Sequence, residues 1–404
     1  MTFLSSSSSI VSDTRAKLCN TRKLYLLHFR QIDIKKRYCH SACSRRHERQ
    51  PGPSSIVCAQ TNARQEAPNE SPTEQSIKLG QLLEIQETDK SSGYWDVIYE
   101  SPAKVNLFLR ILGKRKDGYH EIATLMQAIS LRDTLYFKLL DESADGDIFE
   151  TDSDQIPVGS SNLVIAAFQK FRKESGIKRY FHVRVEKKIP VKAGLGGGSS
   201  NAATALWAAN KLTGKKFSTE YLKKWGADLG SDVPFFFSGG TALCTGRGER
   251  VSELPCLFPS FLYIIQPDGS LSTADVYENL DISKCSKREP QEILTAIQEG
   301  IMWAEPMNDL EESSFALYPL LSELKTLLRA CGFPVVLMCG SGSALFCLGA
   351  PHSSIYPTFE QELVKHFPVK VFTARFLNRN TEQDVWYLDP EEIKTNTVVD
   401  QWFP

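Results

Sequence analysis

Few of the features that would place this chain in a familiar class quickly are present. No apolar run reaches the roughly 18 residues needed to span a bilayer, and the best candidates are broken at Pro255, Pro259 and Gly340. No membrane is therefore expected among its partners. The net charge is only −1 over 404 residues, and no basic patch suits a nucleic acid. None of the ten cysteines falls in a Cys-x-x-Cys pair, which argues against a zinc ribbon or a disulfide framework and leaves buried free thiols as the expectation. There is no internal repeat. No Gly-Lys-Ser/Thr closes the glycine run, so it is not a P-loop, and Ser199 stands where a dinucleotide fingerprint would need its third glycine.

The near-zero charge hides an asymmetry. Residues 1–50 hold eleven Lys/Arg against three Asp/Glu, or +8, so with a total of −1 the remainder carries −9. This segment is serine-rich (Ser5 to Ser9), acid-poor and without a signal-peptide core, and it reads as an organelle transit peptide. Polar low complexity continues past Pro51-Gly52-Pro53 and Asn69-Glu70-Ser71-Pro72, so residues 1–90 are read as transit peptide and disordered linker, with cleavage between about 40 and 80. Cys19, Cys39, Cys43 and Cys58 fall within it.

The most informative stretch runs from Pro190 to Ala203. Upstream, Phe181, Val183 and Val185 alternate with polar residues at strand period. Downstream, Ala202, Ala205, Leu206, Ala209 and Leu212 recur at helical spacing, with Ser199, Ser200 or Asn201 available as caps and Gly214 as a stop. Between them lie Gly194, Leu195, Gly196, Gly197 and Gly198. A strand that enters a helix through a side-chain-poor loop brings several N–H groups and the positive end of a helix dipole to one point, which suits a phosphate.

Other segments carry candidates of their own. Ala103, Val105, Leu107, Leu109 and Ile111 alternate, placing Lys104 and Asn106 together on the opposite strand face. Asp117-Gly118 is a turn signal leading into Tyr119 and His120. Asp232 stands two residues before Pro234 and so is positioned to cap a helix start. Gly340-Ser341-Gly342-Ser343 separates two apolar runs as a hairpin turn would.

Taken in order from Ser101 onward, these segments resemble the GHMP small-molecule kinase family, and within it a subgroup whose alcohol substrate carries a cytidine diphosphate. The resemblance rests on Lys188-Ile189-Pro190 through Ala203, Pro102-Ala103-Lys104-Val105-Asn106, Asp117-Gly118-Tyr119-His120, Gly230-Ser231-Asp232-Val233-Pro234 and Asn308-Asp309-Leu310. It implies an ATP- and Mg2+-dependent kinase in which Gly194 to Ser200 cradle the phosphates and Asn162 lies at the adenine. Asp232 would accept the hydroxyl proton beside Lys104. Asn106, Tyr119, His120, Thr273 and Tyr277 would meet the substrate, and Gly340, Ser341 and Gly342 form a third glycine motif against the phosphate loop. Gln266 before Pro267 and Cys339 before that motif depart from the common lysine and serine.

The resemblance also implies an α+β architecture of two domains enclosing the site. Residues 94–257 would form a ribosomal-protein-S5-like ATP-binding domain and 258–404 a ferredoxin-like domain. Plastid stroma is the expected location, and a monomer or homodimer the expected state. The readings set against it are a GHMP kinase for homoserine or mevalonate, and a nucleotide-binding regulator without catalysis. The turn ending in His120, together with Tyr277, suits a cytidine better than either small alcohol, and intact Lys104 and Asp232 count against the regulator.

Overall fold

A computed structural model describes residues 94–379 except 160, 258–259, 301–306 and 353–357. The transit-peptide and linker reading of residues 1–90 lies outside the described residues, as do the last residues of the chain. β1 (Val97–Lys114) and β2 (His120–Leu139) form a long antiparallel hairpin. Next come β3 (Ile148–Thr151), helix α1 (Leu163–Ser175) and β4 (Phe181–Glu186), which runs parallel to β3. Helices α2 (Gly197–Leu212) and α3 (Thr219–Leu229) precede β5 (Thr241–Gly246) and β6 (Arg250–Glu253). These strands make one six-stranded sheet in the order β3-β4-β2-β5-β6, with β1 paired to β2.

A second sheet comes next. It is built from β7 (Phe261–Pro267), β8 (Val335–Met338), β9 (Leu345–Leu348) and β10 (Val369–Arg375), in the antiparallel order β10-β7-β9-β8. Between β7 and β8 lie α4 (Thr273–Glu278), α5 (Pro290–Gln298), α6 (Glu311–Leu317) and α7 (Leu320–Ala330), and α8 (Phe359–His366) precedes β10. The class is α+β. The apolar runs around the Gly340 turn form a hairpin, β8 to β9.

Two core clusters hold these layers. One gathers Phe137, Phe168, Phe171, Phe181 and Phe235 to Phe237 around the alanine-rich α2. The spacing of Ala202, Ala205, Leu206 and Ala209 suggested one apolar face, but every residue from Ser200 to Asn210 is buried, because small side chains let neighbouring elements approach from all sides. The second cluster joins Ala103, Val105 and Leu107 of β1 to Leu262 and Ile264 of β7 and Leu337 of β8. One strand of the first sheet thus supplies the core under the second.

The alternation along β1 is interrupted. Asn106 pairs with Met126 and Phe108 with Leu125, leaving Leu107 as an extra residue between them. A bulge of this kind exchanges the two faces for the residues beyond it. Phe108 consequently joins Leu107 in the core, while Leu109, expected there, lines a cavity with Lys104 and Asn106. Among the described cysteines none is paired, and Cys244, Cys331, Cys339 and Cys347 are buried as expected, whereas Cys256 is exposed and Cys285 half-buried.

Candidate active site

The glycine run makes the connection from β4 to α2. Gly194 (φ +75°) and Gly196 (φ +71°) adopt left-handed backbone; a Cβ on Gly194 would stand 1.9 Å from the Cys339 carbonyl oxygen, and one on Gly196 2.9 Å from Lys104 Cγ. Conformation and space both require glycine there. Gly196 is itself the N-cap of α2, and no side chain caps the helix. Ser199, Ser200 and Asn201, expected as caps, lie inside the helix instead. The first-turn N–H groups are thus left to an external acceptor, the arrangement that binds anions.

Buried Asp133 explains where the expected caps went. Its carboxylate accepts from the backbone N–H groups of Lys188 and Ile189 at 2.9 Å each and from Asn201 Nδ2 at 3.0 Å, and it pairs with the Lys187 ammonium. Asn201 Nδ2 also donates to Ser101 Oγ (3.0 Å), whose hydroxyl donates to Ser200 Oγ (2.7 Å). A carboxylate with no exposed surface must be surrounded by donors, and this one draws both flanks of the loop together. Ser200 is fully buried as a result. Its hydroxyl is taken up by Ser101.

Two cavities flank the loop. One, ≈ 470 Å³, is lined by Asn162, Lys187, Gly198 and Ser199 among others. The other, ≈ 710 Å³, is lined by Lys104, Asn106, His120, Asp232 and Tyr277. Gly194, Gly196 and Thr273 line both, so the two meet at the phosphate loop. In the smaller cavity Asn162 serves its own chain: its Oδ1 accepts from Val164 N–H as the N-cap of α1, and its Nδ2 donates to the Pro157 carbonyl at 2.7 Å.

Lys104 and Asp232 face each other in the larger cavity. Lys104 Nζ lies 3.3 Å from Asp232 Oδ2 and donates to Asn106 Oδ1 at 2.8 Å. Asn106 Nδ2 in turn donates to Thr124 Oγ1 (2.8 Å), and that hydroxyl donates to the Phe108 carbonyl (2.6 Å). The chain of donors fixes which way each group points. Asp232 is 29% exposed against 4% for Lys104, so the carboxylate is the member of the pair that a ligand can reach. It is not a helix cap as expected. The 3-10 turn Pro234–Phe237 takes Val233 as its N-cap without any side-chain bond, leaving the carboxylate to the lysine. Phe235, Phe236 and Phe237 anchor this segment, each at 2% exposure or less, and each contributes about 2 kcal/mol by burial.

The third glycine motif is pinned against the loop. Ala344 N–H donates to the Ala193 carbonyl (3.1 Å), and Asn308 Nδ2 donates to the carbonyls of Met338 (3.0 Å) and Gly340 (2.7 Å). Gly340 and Ser341 line the larger cavity, and Ser341 Oγ is 2.8 Å from Thr273 Oγ1. Gly342 instead closes the turn, its N–H donating to the Cys339 carbonyl at 2.8 Å.

In the same cavity His120 and Tyr277 stack, ring centroids 5.0 Å apart and 27° from parallel. Burial, with the charge of Lys114 adding to it, holds the His120 imidazole below its ordinary 6.5. It is therefore neutral near pH 7, with one donor and one acceptor nitrogen. Burial, and secondarily Asp232, pushes the Tyr277 phenol well above its ordinary range, so it keeps its proton. Tyr119 is 54% exposed and carries the Arg247 guanidinium 4.9 Å above its ring. Thr124, Lys114 and Arg247 were not singled out from the sequence; the Gly246-Arg247-Gly248 turn signal was the available clue to the last.

Comparison with known proteins gives a consistent picture. The pattern for the GHMP kinases N terminal domain matches residues 162–240. The chain is 40% identical over 332 residues to the chloroplastic 4-diphosphocytidyl-2-C-methyl-D-erythritol kinase of Arabidopsis thaliana, covering 81% of this chain and 84% of that one. It is 42% identical over 287 residues to the corresponding kinase of Protochlamydia amoebophila, covering 71% and 91%. A crystal structure of 4-(cytidine 5'-diphospho)-2C-methyl-D-erythritol kinase superposes with TM-score 0.58 at 33% identity, over 70% of this chain and all of that one. A homoserine kinase from Cytophaga hutchinsonii, 18% identical with TM-score 0.54 over 70% of this chain and 96% of that one, shares the fold.

Proposed function

The chain belongs to the GHMP kinases, in the 4-diphosphocytidyl-2-C-methyl-D-erythritol kinase family, and we propose that it transfers the γ-phosphoryl group of ATP to the 2-hydroxyl of 4-diphosphocytidyl-2-C-methyl-D-erythritol. This step belongs to the non-mevalonate route to isoprenoid precursors. The observation that carries the reading is the Lys104–Asp232 pair, 3.3 Å apart, in a cavity that meets a second one at Gly194, Gly196 and Thr273. The triphosphate would lie along the loop and the first turn of α2, with the adenosine in the smaller cavity and the cytidine at His120 and Tyr277.

Each residue then has a physical task. Asp232 accepts the proton of the attacking hydroxyl. Lys104, oriented by Asn106, positions that hydroxyl and offsets the charge that develops on the transferred group. Phosphoryl transfer depends chiefly on positioning and electrostatics, so a small set of rigidly held groups suffices. Magnesium would offset phosphate charge, and the Ser199 and Thr273 hydroxyls and the Asp232 carboxylate, which line the two cavities, are the groups that would hold it. Asn162 would act on the adenine indirectly, by fixing the Pro157 loop and the start of α1.

The Arabidopsis, rice and tomato relatives carry chloroplastic names. With the basic, acid-poor residues 1–50, this supports a plastid location, in the stroma. A monomer or a homodimer is the proposed state, and no described helix is long and apolar enough to cross a membrane. The test is to give the purified protein MgATP with the cytidine diphospho-alcohol, homoserine or mevalonate and to follow the phosphorylated product. Turnover of the cytidine substrate alone supports the reading; turnover of another alcohol, or none of any, overturns it.

A further inference from the structure

β1 carries a second basic residue that the proposed chemistry does not use. Arg110 lies on the same strand as Lys104, past the bulge at Leu107, and it pairs with Asp309, each side chain only 5% exposed. Asp309 Oδ2 accepts from Arg110 Nη1 (2.5 Å) and from the Ile111 N–H (2.8 Å), while Oδ1 accepts from the Ser286 N–H (3.1 Å). Arg110 Nε donates to the Arg288 carbonyl at 2.9 Å. The backbone repeats the attachment, since Leu109 N–H donates to the Met307 carbonyl and Asp309 N–H to that of Leu109, 2.9 Å each. Three segments separated in sequence are thus joined at one buried carboxylate.

A buried ion pair is a poor device for stability alone, because desolvation of the two charges offsets most of their attraction and an apolar pair often holds a core as well. Its neighbours give this one another task. Asn308, adjacent to Asp309 in the chain, donates from Nδ2 to the carbonyls of Met338 (3.0 Å) and Gly340 (2.7 Å). Gly340 in turn lies against the proposed reacting groups: a Cβ there would stand 3.3 Å from Lys104 Nζ, 3.5 Å from Asn106 Oδ1 and 3.2 Å from the Gly194 carbonyl oxygen. The line of contacts that leaves β1 at Arg110 therefore returns to it at Lys104, by way of Asn308 and the third glycine motif.

We infer that Arg110 and Asp309 are positioning residues for phosphoryl transfer: their pair fixes Asn308, and through it the placement of Gly340 against Lys104. The inference rests on the proposed reaction, so its test includes one readout that needs no turnover. In Asp309→Asn, which keeps the shape and loses the charge, kcat with MgATP and the cytidine diphospho-alcohol should fall about ten- to hundredfold, the scale of a displacement of about 1 Å. The KM for each substrate should stay within about threefold. Adding Arg110→Met removes the stranded charge, so the Tm should recover while kcat does not. Asp147→Asn is the control: Asp147, also 5% exposed, pairs with Arg172 and lines neither cavity, so the variant should lower the Tm and retain kcat. Independently of turnover, Asp309→Asn should speed amide exchange at Cys339, Gly342 and Ala344, whose N–H groups bond within the motif and to the phosphate loop, and leave β4 unchanged. Normal kcat with unchanged exchange in Asp309→Asn overturns the inference, as does a double variant whose kcat returns with its Tm, which would make the pair purely structural. A wild-type protein that turns over no cytidine substrate, while exchange at the motif still responds to Asp309→Asn, overturns the proposed function and supports the positioning.

Discussion

The proposed phosphoryl-transfer and nucleoside sites of the larger cavity are built in opposite ways. At the proposed phosphoryl-transfer site the loop backbone is locked by hydrogen bonds: Lys104 N–H donates to the Leu195 carbonyl at 2.9 Å, Ala344 N–H to that of Ala193, and Asn308 holds the carbonyls of Met338 and Gly340. At the proposed nucleoside site the walls are side chains, with Tyr119 half exposed beneath the Arg247 guanidinium and His120, at the start of β2, stacked on Tyr277 of α4. Moving a phosphoryl group in line demands fixed distances, which buried backbone provides. Recognising a base demands faces and edges, which side chains provide.

If that division holds, the largest single loss comes at the locked site. Asp232→Asn should leave ATP binding intact, as read by calorimetry, and lower kcat at least about a hundredfold, since it removes the proton acceptor. Near-normal turnover in the purified variant would take Asp232 out of the chemistry. Asn308→Ala should come next: it strands two buried carbonyls, at about 1–3 kcal/mol each. We expect a lower Tm and a fall in kcat larger than any change in the KM for the cytidine substrate, with Asn308→Asp, which keeps the shape but not the donors, failing to rescue either. An effect on that KM alone would blur the division between the two sites.

Tyr277→Leu probes the proposed nucleoside site. It removes the stacking face but retains bulk, and aromatic stacking is worth about 0.5–1.5 kcal/mol beyond area, so the KM for the cytidine substrate should rise several-fold while the KM for ATP and the Tm barely move. The smallest effect is a pH dependence of stability. The folded protein holds His120 below its ordinary 6.5, so below that pH the unfolded chain takes up a proton that the folded one resists. Stability should be level above about pH 6.5, fall as pH drops through that value, and level off again beneath the folded-state pKa. His120→Ala should flatten that part of the profile in thermal melts, and an unchanged profile would assign the dependence to other groups.

Much of the locked site was legible in the sequence because it is local. A strand, four glycines and an alanine-rich helix within Phe181 to Leu212 announce a phosphate loop, and a two-residue period places Lys104 beside Asn106. The errors arose where a local rule met a distant competitor. The expected serine caps were replaced by Gly196, because Asp133 lies buried within reach of Asn201 and draws it inward. Asp232 yielded the capping position to Val233 and turned to Lys104. The bulge at Leu107 turned Leu109, still buried, from the Leu107 face to the cavity lining, since a register shift depends on the partner strand and leaves no mark on the strand itself.

By itself, then, the sequence determined the local conformations: the left-handed glycines, the helix after them, the hairpin turns and the buried phenylalanines that anchor Asp232. These arise from steric and solvation preferences of neighbouring residues. Only the tertiary structure decided which groups meet. Lys104 and Asp232, Ser101 and Ser200, Asn308 and Gly340, and Arg247 and Tyr119 are far apart along the chain. Their pairings are set by how the sheets and helices pack, where burial leaves each polar group to find a partner or remain unsatisfied.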